Sequence, residues 1–193
     1  MKKLFIDLGH SLKYPGAYGY KTEVQWSRWI WGYLHHMLDA QVDKAGNKKW
    51  EILLVPDKFV TDWSSNRNLV NRINWINARS KTWRDYLLSI HGNWASRGTI
   101  RGVTTVYMGG SEVARREAVE MSKAYSEVTG VPIWNGGAFD DRDSRFSRVG
   151  MVRDTNPLAL LIEAGFVTSK EDMEIDARKA AEGIAKYFDC IDF

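Results

Sequence analysis

The chain has 193 residues, of which 44% are hydrophobic and 26% charged, a balance that excludes disordered and collagen-like classes and suits one globular domain. Its single cysteine, Cys190, excludes an internal disulfide, so the fold must rest on its core and on any bound metal. The net charge of +3 is spread along the chain rather than gathered into a stripe, which argues against nucleic-acid binding and leaves only a weak pull toward anionic polymers. In MKKLFIDLGH the apolar run is broken at once by Asp7 and His10, too short for a secretory leader, and no other run is long enough to cross a bilayer. Of nine tryptophans, most are expected in packing and one or two along a groove.

KLFIDL, residues 3–8, reads as a short buried strand ending at Gly9-His10. After a polar loop, Thr22 caps a helix opening at Glu23, with Trp26, Trp29, Ile30, Tyr33, Leu34, Met37 and Leu38 at the spacing of one face, ending before Gly46. EILLV, 51–55, is a second strand, and a helix follows from Ser64 or Ser65 to about Ala78. DYLLSI, 85–90, leads as a strand into His91-Gly92-Asn93, and RGVTTVYM, 101–108, is a strand rich in β-branched residues. Ser111 caps a helix to about Val128. The polar, glycine-rich stretch from Asn135 to Ser147 has no period and is expected to be a substrate-facing loop. The pattern resumes at RVGMV, near 148–152, and at LALLIEA, 158–164, a continuous apolar run suited to a strand covered on both faces. A final helix is expected from about Lys170 to Phe188. The alternation predicts a single α/β domain, a largely parallel twisted sheet of about six strands with helices on both faces.

Three candidate residues sit where strands end: His10 after the first, His91 after DYLLSI, and Glu163 near the close of LALLIEA. Ligands gather beyond the carboxyl ends of parallel strands, so these distant positions can converge, and Glu23 joins them from the start of the first helix. Two imidazoles and a carboxylate suit zinc, and three protein ligands leave a fourth position open for catalysis. Each residue has a plainer reading. A histidine at a strand end is commonly a packed residue, and a glutamate in a first helical turn gains roughly 0.3 to 1 kcal/mol from the helix dipole. Glu163 is the exception, because a carboxylate in an apolar strand is costly unless a cation, a metal-bound group or donors meet it.

FIDLGHSLKYPGAYGYKTE, LLSIHGNW and NPLALLIEAGFVTSKED, with Arg67 in NRNLVNR, RGVTTVY and SEVAR in order between them, resemble the type-3 N-acetylmuramoyl-L-alanine amidase family over nearly the whole chain. The resemblance implies that His10, Glu23 and His91 bind one zinc ion and that Glu163 does acid/base work. It further implies that the bond cut joins the lactyl group of N-acetylmuramic acid to L-alanine of the peptidoglycan stem peptide. Ser11 departs from a second small turn residue, and Thr168-Ser169 from a common asparagine, which bears on loop detail and substrate fit rather than on the ligands. The expected protein is one catalytic domain, 1–193, without a separate wall-binding domain. It is expected to be a monomer, made in the cytoplasm without a signal peptide, that acts on the bacterial wall after release, as an endolysin or an autolysin. Two alternatives remain open: an inactive peptidoglycan-binding module, and a zinc peptidase acting on the stem peptide.

Other signals carry less. Asn93 is a candidate contact to the site or to substrate, with an exposed loop residue as the equal alternative. His35 and His36, adjacent on the first helix, are expected to point apart. Asp140, Asp141 and Asp143 lack the glycine and closing glutamate of a calcium loop and are expected in a flexible, solvated one. Ser89 is expected to turn away from His91, and Cys190 has no local histidine, so neither supports a nucleophile.

Overall fold

The computed structural model describes residues 1–11, 13–60, 65–144 and 148–191. Six strands form one sheet in the order β2-β1-β3-β6-β4-β5: β1 Lys2–Asp7, β2 Trp50–Leu54, β3 Tyr86–Asn93, β4 Val103–Tyr107, β5 Ile133–Asp140 and β6 Leu158–Phe166. The pairs β1–β2, β1–β3, β3–β6 and β4–β5 are parallel, and β4 runs antiparallel to β6. The carboxyl ends of β1, β3 and β6 therefore share one edge of the sheet, where β4 begins.

Alternation along the strands divides the core. Leu4, Ile6, Leu88, Ile90, Leu160 and Ile162 pack on one face beneath α1 Glu23–Asp39, α3 Glu112–Thr129 and α6 Ala177–Asp189. Phe5, Leu87, Val106, Ala159 and Leu161 pack on the other beneath α2 Ser65–Arg79 and the short α4 Gly150–Arg153. Covering both faces explains why LALLIEA lacks a polar alternation. Trp26 of α1 and Tyr125 of α3 both donate to the Ala164 carbonyl, at 2.7 and 3.2 Å, fixing β6 one residue beyond Glu163.

The expected elements are present with adjusted bounds. The capping box at Thr22 and Gln25 opens α1 where the sequence indicates, and the helix ends at Asp39, before Gly46 as expected, but Trp29 and Tyr33 are exposed rather than core. A 3-10 turn, Asp57–Val60, follows β2. β3 continues three residues past Ile90, so His91 lies within the strand. The largest difference is the glycine-rich stretch. Its first part belongs to β5, an edge strand, where Asn135, Gly136 and Gly137 take positive φ and the register with β4 shifts. Those left-handed residues break the alternation that would have marked a strand. The last three residues of RVGMV open α4. The final helix is two: α5 Lys170–Met173 and α6, restarted by the Asp176 cap. Ser64 and Ser147, two of the expected boundaries, lie outside the described residues.

The acidic cluster is not a solvated loop. Asp141 is fully buried and accepts from Gly109 N at 2.8 Å, Val149 N at 3.1 Å and Arg153 Nε at 2.8 Å, while Asp140 caps a 3-10 turn and pairs with Arg142. Burial pushes the Asp141 carboxyl up, but Arg153 and the two amides outweigh it and hold the group below its ordinary value of 3.8. A depressed folded pKa contributes stability that is complete above the unfolded value and fades as pH falls through the folded one. Asp141→Ala should cost about 1 to 2 kcal/mol, because it leaves Arg153 and two part-buried amides without their acceptor. In urea titrations the gap between wild type and variant should persist at neutral pH and narrow below pH 3.8.

Candidate active site

Each member of the site is placed by a local rule. His10 follows Gly9, whose positive φ turns the chain off β1, and a Cβ at Gly9 would lie 2.5 Å from the His91 ring. Glu23 is the first residue of α1, presented by the Thr22 cap. His91 and Glu163 are paired in register on adjacent strands β3 and β6, which stand roughly 4.8 Å apart.

Glu23 joins the two histidines. Its Oε2 is 3.1 Å from His10 Nε2 and its Oε1 is 3.3 Å from His91 Nδ1, and the two imidazole rings meet edge to face at 5.0 Å. One ligand atom from each of the three residues lies within 4.8 Å of the others, the only such group of metal-ligating side chains among the described residues. Ala17 N donates to Glu23 Oε2 at 2.6 Å. Burial pushes the Glu23 carboxyl up, yet contact with His10 and His91 outweighs it and keeps the group ionised well below the usual range. Gly16, with positive φ, packs so closely that a Cβ there would lie 2.3 Å from Glu23 Oε2 and 2.6 Å from His10 Cδ2.

Glu163 behaves oppositely. Burial, then the negative charge of Glu23, push its carboxyl up to about 8, and its Oε2 is buried without a hydrogen-bond partner. An acid with those properties can both take and return a proton near neutral pH. Thr104 stands directly opposite on β4, and its buried Oγ1 also lacks a partner. The donor set and the two unsatisfied oxygens fit a divalent cation with its water: the three ligand atoms are close enough for one ion, and Glu163 is left needing a polar neighbour.

Two polar residues missed by sequence reasoning support the edge. Asp7 accepts from Arg72 of α2 at 2.6 and 2.7 Å and from Ser89 Oγ at 2.6 Å. The signal was a charged residue inside the apolar FIDL run, which is costly without partners. Asp172 Oδ2 accepts from Gly102 N at 2.8 Å and Phe166 N at 3.0 Å, tying the start of β4 to the end of β6.

Other candidates separate from the site. Ser89 shares the face of His91, since strand positions two apart point the same way, but its buried hydroxyl is committed to Asp7. Asn93 Oδ1 accepts from Trp94 N at 2.8 Å. His35 and His36, expected to diverge, have ring centroids 3.7 Å apart, but neither belongs to a metal-ligating group.

Residues 4–186 match the family profile described as N-acetylmuramoyl-L-alanine amidase. The chain belongs to that family. Members hydrolyse peptidoglycan, and this amidase has the fold of several solved relatives. A Clostridium difficile 630 N-acetylmuramoyl-L-alanine amidase is 23% identical with a TM-score of 0.75, over 96% of this chain and 94% of that one. The catalytic domain of CwlV from Bacillus (Paenibacillus) polymyxa var. colistinus is 22% identical with a TM-score of 0.72, over 97% and 96%. The catalytic domain of an endolysin targeting Clostridium difficile is 24% identical with a TM-score of 0.73, over 97% and 94%. No curated protein matches the chain by sequence.

The contact between Gly16 and the cluster yields a test. Gly16→Ala should reduce peptidoglycan hydrolysis about a hundredfold, because small displacements of reacting groups carry penalties of that order. Circular dichroism should show the sheet and helices intact.

Proposed function

We propose that the amidase is zinc-dependent, with His10, Glu23 and His91 holding one ion and Glu163 carrying the proton, and that it cuts the amide between the lactyl group of N-acetylmuramic acid and L-alanine of the stem peptide. The observation that carries the reading is geometric: one ligand atom from each of His10, Glu23 and His91 lies within 4.8 Å of the others, and Glu163, paired in register with His91, has a buried Oε2 without a partner. When bound, the ion supplies Lewis acidity toward the amide carbonyl and toward water. Glu163 accepts the proton of the attacking water and delivers it to the departing alanine nitrogen. Burial keeps Glu163 a strong enough base for the first transfer and a ready acid for the second. Glu23 and the imidazoles, fixed by Ala17 N and by close-packed Gly9 and Gly16, hold their positions through both.

All four residues come from one chain, which supports action as a monomer. We further propose a role as a lysis enzyme or autolysin, reaching the wall after release from the cytoplasm. The fold shared with an endolysin catalytic domain supports this reading. No described helix is long and apolar enough to cross a membrane.

Digestion of purified peptidoglycan should release stem peptides with L-alanine at the amino end, seen by mass spectrometry. Dipicolinate should abolish release, and zinc should restore it. Glycan fragments with intact stems, or peptides cut internally, would instead point to another hydrolase. Glu163→Ala should lower kcat by about 10²- to 10⁴-fold while retaining one zinc per chain by elemental analysis. His91→Ala should lose both metal and activity.

A further inference from the structure

The loops leaving the ligand edge also form the walls of an open cleft of about 390 Å³. Gly19 and Tyr20 line it from the loop between β1 and α1, Trp94 to Ser96 from the loop after β3, and Thr168 from the loop after β6. Trp94 is three residues past His91, Thr168 five past Glu163, and Tyr20 three before Glu23. The cleft is thus built by the loops that adjoin the elements carrying the site.

Its chemistry is distinctive. Tyr20 and Trp94 are 64% and 53% exposed, the lining offers the hydroxyls of Tyr20, Ser96 and Thr168, and no lining residue is charged. The walls are held in place: Tyr20 N donates to Val167 O at 2.7 Å, Val167 N to Asn93 O at 2.8 Å, and Ala95 N to Thr168 Oγ1 at 3.3 Å. Gly19 sits against the same carbonyl, where a Cβ would lie 2.0 Å from Val167 O. Aromatic faces left open to water gain by being covered, and a wall whose backbone is already held loses little entropy on binding.

We propose that this cleft is a saccharide subsite, taking a neutral N-acetylhexosamine of the glycan strand next to the muramoyl residue whose stem is cut. The proposal rests on the amidase reading. A pyranose ring presents an apolar C–H face to the indole and a hydroxyl edge to Ser96 and Thr168. The stem peptide carries carboxylates and would be matched by cations, which this lining lacks. The larger cleft beside α1, lined by Lys21, Arg28 and Asp176, has the charge that a neutral sugar does not require.

The test uses the full chain and three probes: tetra-N-acetylchitotetraose for binding, and polymeric peptidoglycan and muramoyl dipeptide for hydrolysis. Wild type should bind the tetrasaccharide by calorimetry. Trp94→Ala and Tyr20→Ala should each weaken that binding about tenfold, the usual scale for removing a buried aromatic contact. They should also reduce kcat/KM on the polymer about tenfold more than on the dipeptide. Trp94→Phe should recover most of the loss, and Trp83→Ala, at an exposed position before β3, should match wild type. Equal losses on both substrates, or undiminished tetrasaccharide binding in both alanine variants, would overturn the subsite while leaving the amidase standing. Failure of wild type to release L-alanine-headed peptides from either substrate would instead overturn the amidase reading.

Discussion

A carboxylate shared between two imidazoles is the interaction on which this structure depends. Glu23 is buried, and an ionised carboxylate in such a place is stable only with partners close by. His10 Nε2 and His91 Nδ1 provide them at 3.1 and 3.3 Å. The demand reaches into the fold, because the partners come from the turn after β1 and from β3, and the carboxylate from the first turn of α1. The parallel arrangement of β1 and β3, with α1 returning over the same edge, lets one carboxylate reach both rings. The loop from residue 13 to 22 must then pass tightly around the cluster, which explains a left-handed glycine at 16 and the backbone amide of Ala17 on Glu23.

The neighbouring strand answers with the reverse environment. β6 is paired on both sides and covered on both faces, so a carboxyl carried by it meets little water. Glu163 accordingly stays in its neutral form to higher pH than Glu23 does. Two glutamates with one side-chain chemistry are thus separated in acidity by where the backbone carries them. The antiparallel entry of β4 adds Thr104 to this pocket from the opposite direction.

Much of this was legible in the residues. Strand ends marked by Gly9-His10 and Ile90-His91, the Thr22 cap and the glutamate in LALLIEA all announced positions that the fold brings together. What escaped was of two kinds. β5 escaped because Asn135, Gly136 and Gly137 take left-handed conformations inside the strand, so neither β-branched residues nor alternation reveals it. The partners of Asp7, Asp141 and Asp172 escaped because pairing across Arg72, Arg153 and Gly102 is a property of packed elements and leaves no local spacing. A charged residue within an apolar run signals that a partner exists, but not which one. The exposed side of α1 was also misjudged, since Trp29 and Tyr33 fall at core spacing yet face outward.

The seam between Gly19 and Val167 limits how this framework can be re-engineered. The β1–α1 loop rests backbone to backbone on the exit from β6, through Tyr20 N to Val167 O and a gap at Gly19 too narrow for any side chain. A loop transplanted from a relative would have to arrive together with its matching β6 exit. These two stretches, far apart in the chain, are therefore one mechanical unit, and a change confined to one of them would have to be matched in the other.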